Sequence, residues 1–195
     1  MLILPLKAFA VFEFDFDFGY DKQIFGANRQ NSVVTRNYSV GLSSYLFDLT
    51  AIDLNFSNTK DTTTQNERSR ITGYNVDRIS QQSRVSTNVF GLGIKQMLAG
   101  RGSWIIPVIS VGYAREFITS GGDTTYEDVT SHAQLVIPAQ LSKQRYNSVF
   151  GSFTLQLKLT DRFSLKGSVK TLFPAFEFNQ ARDNIKYLFG FAWIF

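Results

Sequence analysis

The sequence predicts an all-β fold: a closed, antiparallel, up-and-down barrel of about eight strands. Large apolar residues recur at every second position in eight separate segments, which is the period of a half-buried strand. No apolar run approaches the roughly 20 residues that a membrane-spanning helix needs. Short turns alternate along the chain with longer polar connections, as in a series of hairpins. The alternating segments are 12–21, 38–43, 52–57, 90–95, 109–114, 152–159, 163–170 and 185–195.

The first segment shows the alternation most clearly. One face is wholly aromatic and consists of Phe12, Phe14, Phe16, Phe18 and Tyr20. The opposite face is acidic or bare and consists of Glu13, Asp15, Asp17, Gly19 and Asp21. Because successive strand residues point to opposite sides of a sheet, one side of this strand must meet apolar surroundings and the other polar ones.

The length of 195 residues suits one barrel domain, which we place at residues 11–195. Residues 1–10 are apolar and end in Ala-Phe-Ala, so this segment is either a truncated secretory signal or a lead into the first strand. The chain has no cysteine, which excludes disulfides and thiolate metal sites. Its net charge of +4 comes from scattered Lys and Arg, which argues against nucleic-acid binding.

The connections alternate in length. Short turns are expected near residues 47–48, 99–102 and 160–162, and long polar loops over 27–36, 58–84, 118–146 and 174–183. Short turns at one end and long loops at the other are typical of membrane-spanning barrels.

The apolar faces are expected to point outward, toward lipid. An eight-stranded barrel is only just wide enough for side chains, and five aromatics from one strand would overfill its interior. The opposite faces are rich in Gly, Ser, Thr and Ala, which suit a narrow interior. The predicted fold is therefore a transmembrane β-barrel rather than a soluble ligand-binding barrel, its alternative.

Charges on the small-residue faces predict a salt-bridge network inside the barrel. Acids lie on the first strand and lysines on the last three, and the first strand of a closed barrel pairs with the last. A buried carboxylate must be paired because its desolvation is costly. The expected members are Glu13, Asp15, Asp17, Lys158, Lys166, Lys170 and Lys186.

The C-terminal segment carries an aromatic residue at every second position and ends on one: Tyr187, Phe189, Phe191, Trp193 and Phe195. This pattern closely resembles the terminal strand of bacterial outer-membrane proteins. The chain from residue 11 onward resembles the small eight-stranded barrels, such as the OmpA transmembrane domain, OmpX, OmpW and the opacity-type adhesins. The resemblance implies a bacterial outer-membrane location, and recognition of these residues by the barrel-assembly machinery during insertion.

We expect a monomer with a structural or surface-interaction role, such as adhesion or envelope integrity, and a lumen plugged by side chains. The alternatives are a narrow OmpW-like, porin-like channel for small or hydrophobic molecules, and a lipid A-modifying enzyme. The enzyme reading rests on His132, but the adjacent Ser131 would point the opposite way. No catalytic residue, metal ligand or cofactor is therefore assigned.

Basic residues in the predicted loops suggest contacts with the lipid of the outer leaflet. Arginine binds phosphate through two parallel hydrogen bonds, so it suits the phosphates of lipopolysaccharide. The candidates are Arg29, Arg36, Arg68 and Arg70.

Overall fold

The computed structural model of the protein describes residues 11–175 and 184–195, so the N-terminal segment 1–10 lies outside the described residues. The described residues form nine strands. Their bounds are β1 Val11–Phe25, β2 Asn31–Tyr45, β3 Thr50–Gln65, β4 Ser69–Arg70, β5 Val76–Met97, β6 Ile105–Asp128, β7 Gln134–Lys158, β8 Phe163–Pro174 and β9 Ile185–Ile194.

Eight of these strands form one closed antiparallel barrel, which confirms the predicted fold class and strand number. Each long strand pairs with its neighbours in the chain, β1 pairs with β9, and β3 pairs directly with β5. The two-residue strand β4 adds to the outer end of β5. Closure leaves no strand edge through the body of the barrel, which a structure in lipid requires.

The two ends of the barrel differ. The short-turn end carries the β2–β3, β5–β6 and β7–β8 turns together with Val11 and Phe195. At the opposite end, which we call the protruding end, β5, β6 and β7 are 22, 24 and 25 residues long, whereas β8 and β9 have 12 and 10. A tilted crossing of a bilayer takes about 9–11 residues. The three longest strands therefore extend well beyond one crossing.

The expectation of long loops at 27–36, 58–84 and 118–146 was wrong. β2 already begins at Asn31. The loop expected over 174–183 falls mostly outside the described residues. β3 continues to Gln65, β6 continues to Asp128, and β7 begins at Gln134. The ends of β3 and β6 and the start of β5 are rich in Thr, Ser and Gln and mostly partly exposed, and the start of β7 is exposed throughout. None of them shows the apolar alternation that marks the rest of each strand. Their backbone groups are paired by the sheet and Thr favours strands, so the ladder continues without an apolar face.

The apolar faces point outward, as predicted. Phe12, Phe18 and Tyr20 are exposed, whereas Glu13 is 0% and Asp15 is 5% exposed. The same alternation holds on β9, where Tyr187 and Phe189 are exposed and Leu188 and Ala192 are buried. This arrangement is the reverse of a soluble barrel, so the soluble ligand-binding alternative does not fit.

Two apolar clusters lie inside the barrel. One closes the short-turn end and consists of Tyr45, Ala51, Met97, Ile106 and Val108. The other consists of Val89, Ala114 and Phe150 with Leu172 against it. The Phe150 ring fills the space over three glycines: a Cβ atom at Gly91, Gly93 or Gly112 would lie 3.0, 2.8 or 2.6 Å from a ring carbon. Among the described residues there is no helix long and apolar enough to cross a membrane.

Candidate functional site

The lumen holds a chain of buried ion pairs that joins opposite walls of the barrel. Lys95 Nζ on β5 lies 2.6 Å from Glu13 Oε1 and 2.7 Å from Asp15 Oδ2 on β1. Lys166 Nζ on β8 lies 2.8 Å from Asp15 Oδ1 and 3.2 Å from Asp17 Oδ2. Two cations thus pair with three carboxylates, and Asp15 is shared between them.

Neutral donors complete the network around Glu13. The Tyr45 hydroxyl donates to Glu13 Oε2 at 2.5 Å, and Gln156 Nε2 donates to Glu13 Oε1 at 2.9 Å. The guanidinium of Arg101 lies 4.4 Å from the centre of the Tyr45 ring at the short-turn end. A buried carboxylate is tolerated when a cation and hydrogen-bond donors surround it, and Glu13 has both.

The other predicted network members have different partners. Lys170 Nζ donates to Asn55 Oδ1 at 2.6 Å, and Lys186 Nζ donates to Thr59 Oγ1 at 3.1 Å. Both lysines face the lumen, but neither forms an ion pair with a β1 acid. The assignment of Lys158 to the network was wrong, because its Nζ atom pairs at 2.8 Å with Asp161, a turn residue at the short-turn end.

Sequence reasoning missed Lys95, although the alternation on β5 already placed it on the lumen face with Gly91 and Gly93. The predicted cationic partners all lie on strands near β1 in the closed sheet. Lys95 reaches β1 across the lumen rather than along the sheet, because β5 borders β3 and β6. Only the curvature of the barrel brings these two strands together.

The lumen leaves little open space around the ion pairs. A cavity of about 40 Å³ lies among Asp15, Asp17, Lys95, Lys166 and Phe150. A single water occupies roughly 10–15 Å³ on this scale, so the space suits a few waters at most. The side chains thus plug the barrel between the two apolar clusters.

A second charged cluster lies at the protruding end, outside the barrel body. Arg68 Nε pairs with Asp77 Oδ2 at 2.7 Å, and Arg68 Nη2 pairs with Glu127 Oε1 at 3.0 Å. Arg70 Nη1 pairs with Asp77 Oδ1 at 3.1 Å. The cluster ties the β3–β5 connection to β6. Hydrogen bonds from Arg68 and Arg70 lower the pKa of Asp77, and hydrogen bonds from His132 and Arg68 lower that of Glu127.

His132 belongs to this cluster and not to a nucleophilic pair. Its Nδ1 atom lies 3.0 Å from Glu127 Oε1, on a carboxylate that Arg68 also holds. The Ser131 hydroxyl donates to Asp128 Oδ1 at 3.0 Å. Hydrogen bonds from Ser131 and Thr130 lower the pKa of Asp128. The serine is thus engaged by the loop itself, and no arrangement of base and nucleophile results.

The four arginines expected at lipid phosphates lie in different settings. Arg68 and Arg70 are engaged by acids in the cluster just described. Arg29 lies in the β1–β2 turn with a φ of 55°. Arg36 lies within β2, on the same outward face as Tyr38.

The alternate aromatic residues of β9 and Phe195 point outward from the barrel. The Phe195 N–H donates to the Phe12 carbonyl at 2.9 Å.

Comparison with known proteins gives matches in fold only. No family model and no curated protein matches the chain. Among solved structures it is similar to the N-terminal β-barrel domain of Pseudomonas aeruginosa OprF, with 15% identity, a TM-score of 0.52, and coverage of 95% of this chain and 98% of that one. Ail of Yersinia pestis has 9% identity, a TM-score of 0.47, and coverage of 95% and 97%. Neisserial surface protein A has 8% identity, a TM-score of 0.43, and coverage of 95% and 96%.

At these identities the likeness concerns the fold. The shared fold is a closed antiparallel barrel of eight strands, to which this chain adds one short strand in its described part.

Proposed function

We propose that this protein is an integral barrel of a bacterial outer membrane with a structural or surface-interaction role and a plugged lumen. The observation that carries this proposal is the inverted arrangement of faces. Phenylalanine and leucine side chains cover the outside, and three carboxylates with two lysines lie buried inside. Water would solvate such an exterior poorly, whereas lipid tails match it.

The long strands support the surface-interaction part of the proposal. β5, β6 and β7 extend beyond the part of the barrel that β8 and β9 complete, and they form a sheet above it. Leu135, Val136, Ile137 and Leu141 on β7 are all about half exposed or more. An exposed apolar segment on a projecting sheet is a surface that contacts a partner. Adhesion or an envelope contact fits this geometry better than passage of a solute.

The packed lumen argues against the channel alternative. Among the described residues, the ion pairs and Phe150 leave a cavity of about 40 Å³ between them. Eight-stranded barrels have an interior that side chains fill. We therefore expect the purified protein to show no large, stable conductance in planar bilayers, and such a conductance would contradict a plugged lumen.

We propose no catalytic activity. The lipid-modifying alternative needs His132 to activate a nucleophile, and its imidazole instead contacts Glu127. The test is His132→Ala followed by profiling of lipid A in the producing cells. An unchanged lipid A pattern is expected, and a change that depends on His132 would overturn this part of the proposal.

Fractionation of cells that express the full chain tests the proposed location. We expect the protein in the outer-membrane fraction, with faster gel migration before boiling than after, because folded barrels of this type resist detergent unfolding until heated. Recovery of the folded protein from the soluble fraction would contradict the proposed location. The mobility shift reports folding independently of any ligand.

A further inference from the structure

A row of cations lies on the outward face of the barrel toward its protruding end. At least one cation stands on each of six neighbouring strands, β1, β2, β3, β5, β6 and β7, and β7 carries a second, Lys143. One exposed cation from each strand belongs to the set that we call the cationic girdle: Lys22, Arg36, Lys60, Arg84, Arg115 and Arg145.

The girdle continues the face that the aromatic residues occupy. Lys22 follows Tyr20 by two positions on β1, and Arg115 follows Tyr113 by two on β6. Residues two apart on a strand share a face, so each cation stands beside the outward apolar band on the side toward the protruding end. Ring contacts also link the girdle to the outward apolar band. The Arg145 guanidinium lies 5.6 Å from the centre of the Phe117 ring, which meets the Phe90 ring edge-on at 5.9 Å.

Charges of opposite sign are separated between the two faces of the wall. On the described strands, from the short-turn end up to the girdle, the outward positions carry no acidic residue. The acids of that part occupy lumen-face positions. Glu13, Asp15, Asp17 and Asp53 are buried, Asp61 and Glu116 are partly buried, and Asp21, next to Lys22, is exposed. Asp123 lies farther along β6 and pairs with Arg84 at 3.3 Å. A surface that meets only water normally mixes both signs.

Within the girdle, like charges are placed side by side. Arg36 and Lys60 are register partners on β2 and β3, so their side chains stand opposite each other on one face. Such a pair is destabilising unless an anion lies between the two cations. Beside Lys60, a groove of about 310 Å³ is lined by Asp61, Arg84, Thr119 and Leu141 among others. Two cations, one carboxylate, hydroxyl groups and an apolar side chain therefore meet at one depression.

We infer that the cationic girdle binds the phosphorylated headgroups of outer-leaflet lipid, with diphosphorylated lipid A as the fitting chemistry. A ligand that meets both the apolar band and the girdle must carry acyl chains next to anionic groups. Arginine and lysine bind phosphate, and arginine does so through paired hydrogen bonds. This inference rests on the proposed membrane location. It keeps Arg36 from the sequence-based candidates and replaces Arg29, Arg68 and Arg70.

The test compares two variants of the full chain with equal loss of charge at the same end. The girdle variant carries Arg36→Gln, Lys60→Gln, Arg115→Gln and Arg145→Gln. The control carries Arg29→Gln, Arg68→Gln, Arg70→Gln and Arg78→Gln. Each is folded in uncharged detergent, and binding of diphosphoryl lipid A in mixed micelles is measured by titration calorimetry. The girdle variant should bind at least about tenfold more weakly than the unaltered chain, since each cation near an anionic surface contributes to affinity.

The control should bind lipid A as the unaltered chain does, and monophosphoryl lipid A should bind more weakly to the unaltered chain than the diphosphoryl form. Equal binding by the girdle variant, or an equal loss in the control, overturns the inference. Displacement of lipid A by millimolar inorganic phosphate also overturns it, because the ligand would then be a free anion. The gel mobility shift checks folding separately, so failure of the membrane proposal is distinguishable.

Discussion

Lys95 and Asp15 meet across the interior of the barrel, with 2.7 Å between Nζ and Oδ2, although their strands are not neighbours in the sheet. Lys166 approaches the other oxygen of the same carboxylate at 2.8 Å. Three strands, β1, β5 and β8, are thereby held at fixed separations across the lumen. The ion pairs act as cross-links between walls that hydrogen bonds of the sheet do not join.

Removal of one lumen cation should destabilise the barrel strongly. Lys95→Met leaves Glu13 and Asp15 buried with less compensation, and breaking a buried pair costs about 3–5 kcal/mol in the free energy of unfolding. The measurement is urea unfolding from lipid vesicles, followed by loss of the gel mobility shift. Lys158→Met is the matched control, because its partner Asp161 is 96% exposed and such pairs contribute about 0–1 kcal/mol. Equal effects of the two substitutions would show that the lumen network does not brace the barrel.

A charge on the outward face should be costly only where lipid covers that face. Leu54 on β3 is 53% exposed, and Leu159 in the β7–β8 turn is 54% exposed. Leu54→Arg should lower the free energy of unfolding by about 2–4 kcal/mol if position 54 lies near the bilayer centre. Leu159→Arg should have little effect because the turn meets water. Unfolding from vesicles measures both, and a neutral Leu54→Arg would mean that water covers this face.

The protruding cluster should loosen in acid. The pKa values of Asp77 and Glu127 are lowered in the folded protein, so their contribution to stability is complete above the ordinary carboxyl pKa of about 4 and fades as the pH falls through the lowered values. Hydrogen-exchange protection factors for residues 68–78, corrected for intrinsic rates, should therefore drop from about pH 6 to about pH 3. In Arg68→Gln the drop should be much smaller. Protection that stays constant in the unaltered chain would contradict this account.

The terminal aromatic should matter for insertion in cells more than for stability. Phe195→Ala is expected to reduce the folded fraction in the outer membrane, whereas the purified variant should refold in detergent like the unaltered chain. Phe47→Ala is a suitable control, since Phe47 lies at the same end and is 73% exposed against 67% for Phe195. Quantification of the heat-modifiable band in membranes and after refolding separates the two steps. A matching loss in refolding would assign Phe195 to stability instead of recognition.

The sequence by itself determined the fold class, the number of strands in the barrel and the face that each side chain takes. These follow from the period of two, and they hold from Phe12 on β1 to Trp193 on β9. Local pattern carried this information because a strand fixes the side of every residue. The same reasoning made the strands too short where Thr, Ser and Gln replace the apolar alternation, as at the start of β5 and the end of β6. Paired strands in water need no apolar face.

Tertiary structure decided which of the lumen-facing charged groups meet. The alternation on β5 predicts that Lys95 faces the lumen. Its contact with Glu13, however, depends on the diameter of the closed barrel and the tilt of its strands. The same holds for Lys158, which has the expected residue type but lies near the short-turn end and pairs there with Asp161. Contacts across a lumen depend on how far the sheet curves and shifts in register, and these quantities are set by all eight strands together.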